Sequence, residues 1–162
     1  MGETAVKALE VNAPPGVQDM TITRRINATR DRVFRAYTDP HAITQWWGPR
    51  RYETIVDTLE PRSGGSWRFA NRDTNGEEYW FHGVYHDVVP AERITWTFEY
   101  EGIPGHVSLE TVTFEDEGDS TNIRIHSVFE SVADRDGMIQ SGMESGLSES
   151  MERLQELLDS ER

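Results

Sequence analysis

Six strand-type segments follow one another in the middle of this chain and constrain its fold more than any other feature. Apolar and polar residues alternate within each segment, and turn residues such as Gly64-Gly65 and Asn75-Gly76 separate them. The connections span roughly three to six residues, which is too short for parallel crossovers. We therefore predict an antiparallel meander of strands at Tyr52–Leu59, Ser66–Asn71, Glu78–Val89, Arg93–Tyr100, His106–Glu115 and Asn122–Glu130.

A further strand and three helices flank the predicted meander. The alternation at Met20–Asn27 predicts a half-buried strand. Thr29 is a suitable N-cap for a helix that Asp39-Pro40 ends, and a second short helix is predicted at His41–Trp47. Apolar residues recur with a helical period from Ala133 to Ser160, which predicts one long amphipathic helix.

The first residues show no sustained periodicity and contain Pro14-Pro15-Gly16. We predict a flexible leader at residues 1–18 and a single domain at residues 19–162. A chain of 162 residues with 36% hydrophobic content is long enough to bury one sizeable core.

Charge and composition exclude several classes of function. The formal net charge is −13, which disfavours binding to nucleic acid or to anionic membranes. The chain has no cysteine, so disulfides, thiolate nucleophiles and thiolate metal sites are excluded. No apolar run is long enough to span a membrane and no signal-peptide core precedes the domain. We expect a cytoplasmic monomer or homodimer without a cofactor.

The predicted elements leave space inside the fold. A helix of about 25 residues is roughly 38 Å long, and seven strands make a sheet roughly 30 Å across. A straight helix on a curled sheet contacts its rims more closely than its middle, so a cavity remains unless large side chains fill it. Gly142 and Gly146, one turn apart, are consistent with either close packing or unfilled space.

Five segments carry a resemblance to a known family: Ile43–Pro49, Pro61–Phe69, Phe81–Tyr85, Pro90–Thr97 and Ser141–Leu147. In combination they resemble the START-like (SRPBCC) superfamily. The closest resemblance is to the bacterial branch related to the C-terminal domain of the activator of the 90-kDa heat-shock protein ATPase. The resemblance covers about Met20 to Leu158. It implies an α+β helix-grip fold, in which a curved antiparallel sheet of about seven strands wraps around a long C-terminal helix. The resemblance also implies an internal apolar pocket.

Aromatic and aliphatic side chains of inward parity are candidates for the pocket wall. Alternation with polar neighbours directs the aromatic residues of the strands inward, and we place the Phe81 set of its strand inward as well. These side chains either line a ligand pocket or fill a core. The candidate residues are Trp46, Trp67, Phe69, Phe81, Tyr85, Trp96, Phe98, Met138, Met143 and Leu147.

Five ionisable residues are candidates for acid–base chemistry. Glu99 and His126 fall on the outward parity of their strands, whereas Asp87, His106 and Glu110 fall on the inward parity. We expect the inward three to lie at strand ends in contact with water. A general base must lie within hydrogen-bond reach of a substrate, so we assign no catalytic residue and favour a protein that is not an enzyme.

The sequence predicts neither a metal site nor an anion site. His82 and His86 share one face of a strand, but residues four apart on a strand are about 13 Å apart and cannot share an ion. Arg68, Arg72 and Arg124 are expected to pair with surface acids rather than to bind anions.

Three functions follow from these observations and from the resemblance. The first is binding of a small lipid-like or aromatic molecule in the internal pocket. The second is catalysis of the cyclase or aromatase type on a polyketide-like substrate, which would need two ionisable side chains converging in the pocket. The third is an interaction module for a chaperone, although eukaryotic activators resemble this chain only in one of their domains.

Overall fold

An eight-stranded antiparallel sheet is the main feature of the computed structural model, which describes residues 9–161. The strand order is β1-β2-β8-β7-β6-β5-β4-β3, so the six strands β3 to β8 form the predicted meander. Four helices complete the α+β helix-grip architecture. The elements are β1 (Glu10–Asn12), β2 (Asp19–Ile26), α1 (Arg30–Thr38), α2 (Pro40–Trp46), β3 (Glu53–Leu59), β4 (Ser66–Arg72), β5 (Glu78–Val89), β6 (Arg93–Tyr100), β7 (Val107–Glu117), β8 (Ser120–Val128), α3 (Val132–Gln140) and α4 (Met143–Ser160).

Helices α1 and α2 carry the chain across one face of the sheet. Strand β2 pairs with β8, while β3 lies at the far edge, so the connection between them crosses the sheet. Asp39 begins α2 by accepting a hydrogen bond from the backbone N–H of His41 at 2.9 Å, and Pro40 occupies the first turn. Helix α1 contacts β7 and β8, and α2 contacts β3 and α4.

Strand β1 lies within the segment that we predicted as a leader. Val11 pairs with Ile22 of β2, and Leu9 is buried. The sequence did not predict this strand, because three residues are too few to show an alternation. The part of the predicted leader at residues 1–8 lies outside the described residues.

The predicted long C-terminal helix is divided into α3 and α4. Gly142 has a φ of 90° in the left-handed region, and the Ser141 hydroxyl donates to the carbonyl of Met138 at 2.6 Å. The apolar period continues across this break, which is why the sequence predicted one helix. Arg135 anchors α3, because its buried guanidinium donates to the carbonyl of Pro14 at 2.6 Å.

A β-bulge in β5 corrects the predicted direction of Asp87. Tyr85 pairs with Trp96, but Asp87 pairs with Thr95, so the side-chain alternation reverses between residues 85 and 87. Tyr85 is buried, whereas Asp87 forms an ion pair with Arg93 at 2.7 Å. Asp87 is therefore not among the inward residues.

Gly83 allows the Trp67 indole to lie across strand β5. Trp67 of β4 pairs with Gly83 of β5, and its Nε1–H donates to the carbonyl of Thr97 on β6 at 3.0 Å. A Cβ atom at residue 83 would lie 1.9 Å from that carbonyl oxygen and 2.6 Å from the indole nitrogen. The aromatic wall of β4 to β6 therefore requires glycine here.

We predict that Gly83→Ala lowers the free energy of unfolding by about 3 kcal/mol or more, because the added methyl group overlaps backbone atoms that cannot move freely. Chemical denaturation followed by tryptophan fluorescence measures the change. Gly137→Ala is the matched control, because nothing lies within 4 Å of its added Cβ. A stability of Gly83→Ala equal to that of the control would contradict the packing described.

We predict that Gly142→Ala lowers the free energy of unfolding by about 1 kcal/mol, because alanine in the left-handed region is strained. The same substitution at Gly137, inside α3, should raise it by up to about 1 kcal/mol. Urea denaturation of both variants provides the comparison. If α3 and α4 formed one continuous helix, both substitutions would stabilise the protein.

Candidate functional site

A cavity of about 210 Å³ lies between the inner face of the sheet and helix α4. Side chains from both sheet and helices form its wall. Eight of the ten candidate pocket residues line it: Trp46, Trp67, Phe81, Trp96, Phe98, Met138, Met143 and Leu147.

The other two candidates, Phe69 and Tyr85, belong to the core and do not line the cavity. Phe69 has no exposed surface, and the rings of Trp47 and Trp67 cover it at centroid distances of 5.1 and 4.7 Å. Tyr85 stacks against Trp96 at 5.5 Å. Burial raises the pKa of the Tyr85 hydroxyl, which has no hydrogen-bond partner among residues 9–161. Tyr85 is therefore a core residue rather than part of the cavity wall.

The two adjacent tryptophans at the end of α2 both line the cavity. Trp46 is buried and its Nε1–H donates to the carbonyl of Ala36 at 2.9 Å, which fixes its ring against α1. Trp47 is half-buried and makes edge-to-face contacts with Phe69 and Phe81. Of this pair, only Trp46 was among the candidates that the sequence offered.

Hydrogen bonds join the end of α2 to α4, and both helices contribute to the cavity wall. The Ser150 hydroxyl donates to the carbonyl of Trp46 at 3.0 Å and accepts from the N–H of Gly48 at 3.2 Å. Arg153 donates to the carbonyl of Gly48 at 2.8 Å. A Cβ atom on Gly146 would lie 3.3 Å from the Pro49 ring, so this glycine reflects close packing.

Glu110 is an acid inside the cavity wall. It pairs with Trp96 of β6 and with Ser127 of β8, so the three side chains form one row on the inner face. The indole of Trp96 donates to its Oε1 at 3.0 Å. Burial raises the pKa of Glu110, and the hydrogen bonds from Trp96 and Ser127 oppose that shift. The expectation that Glu110 lies at a strand end is therefore wrong, because it is the fourth residue of β7, where it is half-buried.

Several lining residues were not among the sequence-based candidates. Strand parity already placed Ser108 inward, but a serine in a wall of aromatics carried no signal of its own. Asn71 is buried, and its Oδ1 lacks a hydrogen-bond partner. The lining residues that we did not name as pocket candidates include Tyr37, Trp47, Asn71, Ser108, Glu110, Ser127 and Ser150.

A second cavity of about 390 Å³ adjoins the first on the side of α3. Both cavities have Phe81, Phe98 and Met138 in their walls. His106 and Asp134 also line the second cavity, and their side chains are 3.0 Å apart. The hydrogen bond to Asp134 raises the pKa of His106, which is more than half exposed. The second cavity therefore has an ionisable pair in its wall, beside the residues that it shares with the first.

The remaining ionisable candidates form pairs away from these two cavities. Glu99 accepts from the N–H of Gly105 at 2.7 Å and lies 3.3 Å from His82. His126 pairs with Asp19 at 2.9 Å. The three candidate arginines each pair with a glutamate, as the sequence indicated: Arg68 with Glu101, Arg72 with Glu78 and Arg124 with Glu115.

Three further features of the described residues bear on function. A groove of about 760 Å³ on the outer side of β1, β2 and β8 is larger than either cavity, but polar and charged side chains dominate its wall. Within residues 9–161, no group of three His, Asp or Glu side chains is arranged to hold a metal ion. No helix in the same range is long and apolar enough to cross a membrane.

Solved structures share this fold at low sequence identity. A protein from Arthrobacter aurescens is 23% identical, with a TM-score of 0.85 and coverage of 93% of this chain and 91% of its own. A Rhodobacter sphaeroides protein is 19% identical, with a TM-score of 0.88 and coverage of 95% and 99%. DynU16, a protein in the dynemicin biosynthetic locus, is 19% identical with a TM-score of 0.69. The match covers 90% of this chain and 48% of DynU16.

Comparison at the level of sequence identifies the family. No curated protein matches the chain. The family model described as Activator of Hsp90 ATPase homolog 1-like protein matches residues 27–159, from the end of β2 through nearly all of α4. The chain therefore belongs to the family of Activator of Hsp90 ATPase homolog 1-like proteins.

Proposed function

We propose that this protein binds a small hydrophobic molecule in the cavity between the sheet and α4. The observation that carries the proposal is a cavity of about 210 Å³ with mainly aromatic and aliphatic walls. A cavity of about 150 Å³ with apolar walls is large enough to hold benzene. The adjoining space near α3 gives room for a longer molecule.

Apolar contact is the source of affinity in this proposal. Burial of apolar surface contributes roughly 25 cal/mol per Å² before the costs of association. The ring centroids of Trp96 and Phe98 lie 5.2 and 6.0 Å from that of Trp67. Flat faces and edges of these rings are therefore both available to a ligand. A flat aromatic or alicyclic body suits this wall best.

Catalysis on a polyketide-like substrate is the second candidate, and the presence of Glu110 in the wall is the observation in its favour. Within the part of the chain that the structure describes, the other ionisable group in the wall of this cavity is Tyr37, and burial strongly raises the pKa of its hydroxyl. A proton relay in this cavity would therefore depend on a single carboxylic acid, Glu110, whose own pKa is raised. This arrangement supports binding more directly than acid–base catalysis.

Interaction with a chaperone would use the outer surface rather than the cavity. Stimulation of Hsp90 ATPase activity by the purified protein, undiminished when the cavity is filled, would favour that function over the one proposed.

We predict that Leu147→Trp weakens binding of the neutral fluorescent probe N-phenyl-1-naphthylamine at least about tenfold, because the larger side chain fills part of the cavity. Titration of probe fluorescence measures the affinity. Leu157→Trp is the matched control: it makes the same change on the same helix, at a half-buried residue that does not line the cavity.

Two results would contradict the proposal. One is that the wild-type protein does not bind the probe at all. The other is that Leu147→Trp and Leu157→Trp, both shown to be folded by circular dichroism, bind it equally well.

A further inference from the structure

We infer that the ligand is an uncharged molecule with a hydrogen-bond acceptor, such as a carbonyl oxygen, and that Glu110 donates a hydrogen bond to this acceptor at the sheet side of the cavity. This inference rests on the proposed function and specifies the chemical class of the ligand. The row formed by Trp96, Glu110 and Ser127 is the feature that supports it.

Glu110 is a carboxylic acid in a mainly apolar wall. It lies on β7, two residues before the buried Val112 and two after the buried Ser108. Its carboxyl group therefore faces the cavity from the middle of the sheet rather than from a strand end. A ligand whose apolar body contacts the tryptophans brings one of its atoms within reach of this carboxyl group.

The described surroundings of Glu110 have no cationic side chain. Among residues 9–161, no Lys, Arg or His side chain lines the cavity between the sheet and α4. The groups that face it are the Tyr37 hydroxyl from α1, the Trp96 indole from β6 and the Ser127 hydroxyl from β8, while α4 contributes Met, Leu, Gly and Ser side chains. An unpaired carboxylate in such a site is costly, and burial accordingly raises the pKa of Glu110.

A protonated carboxyl group has one O–H to donate. The Trp96 indole can only donate and already uses Oε1, so it cannot receive this proton. The O–H therefore donates to the Ser127 hydroxyl, to the Tyr37 hydroxyl or to an acceptor in the cavity. A ligand with a carbonyl oxygen supplies that acceptor, whereas a hydrocarbon of the same shape does not.

The same surroundings disfavour an anionic ligand. A carboxylate or sulfonate in this cavity would find no cationic partner among the wall residues that the structure describes, and the chain carries a formal net charge of −13. Ionised fatty acids are therefore excluded by this inference, whereas ketones, esters and quinones are retained.

A matched pair of probes tests the inference: 2-acetylnaphthalene, which has a carbonyl acceptor, and 2-ethylnaphthalene, which has the same carbon skeleton without the oxygen. Competition with N-phenyl-1-naphthylamine at pH 6 gives both affinities. We expect the wild-type protein to prefer the ketone by about five- to tenfold, the effect of one net hydrogen bond. Glu110→Gln keeps an N–H donor and should keep the preference, whereas Glu110→Leu should lose it.

The pH dependence separates donation by Glu110 from a general preference for polar probes. The O–H donor is present below the raised pKa of Glu110 and is lost as the pH rises through it. The preference of the wild-type protein for the ketone should therefore fall with rising pH. The preference of Glu110→Gln, which does not titrate, should stay constant.

Several outcomes would overturn the inference while leaving the proposed function intact. They are equal affinity for both probes in the wild-type protein, a preference that survives in folded Glu110→Leu, and tighter binding of 1-(2-naphthyl)ethylamine or 2-naphthoate than of the ketone. Failure of the wild-type protein to bind N-phenyl-1-naphthylamine, 2-ethylnaphthalene and 2-acetylnaphthalene would instead overturn the proposed function.

Discussion

The carbonyl groups that end α2 need hydrogen-bond partners, and the position of α4 over the sheet depends on how they obtain them. Backbone carbonyls at a helix end have no partner within the helix. Ser150 and Arg153 of α4 provide donors to the carbonyls of Trp46 and Gly48. Because α4 is held there, its apolar side chains face the inner surface of the sheet and enclose the cavity. Loss of these polar contacts would therefore affect the cavity as well as the stability.

Most of the fold was predictable because alternation and turn residues are local signals. Strands β5 and β6 have the predicted bounds, and the ends of the other predicted strands differ by at most two residues. The features that were missed depend on tertiary structure or on single residues. Strand β1 is formed by pairing with β2, the bulge near His86 reverses a parity, and Gly142 interrupts a helix whose apolar period continues. None of these has a periodic signature.

The cavity was only partly predictable, because strand parity distinguishes the inner face from the outer face but not a cavity wall from a filled core. Phe69 and Trp67 share a parity, yet Phe69 lies beneath other rings while Trp67 lines the cavity. Glu110 shares the parity of Val112, and only the pairing of β7 with both neighbours places it in the middle of the sheet. Its surroundings are set by residues distant in the sequence, so its chemistry could not be read from its own segment.

The break at Gly142 divides the C-terminal segment into two parts that can diverge at different rates. Helix α4 contributes Met151, Leu154 and Leu158 to the core, so substitutions there have a direct cost in stability. Helix α3 borders the second cavity, and Arg135 is its only fully buried side chain. Substitutions in α3 can therefore reshape the second cavity while the scaffold remains intact. The Arthrobacter aurescens and Rhodobacter sphaeroides proteins keep this scaffold at 23% and 19% identity, so most of its sequence is free to change.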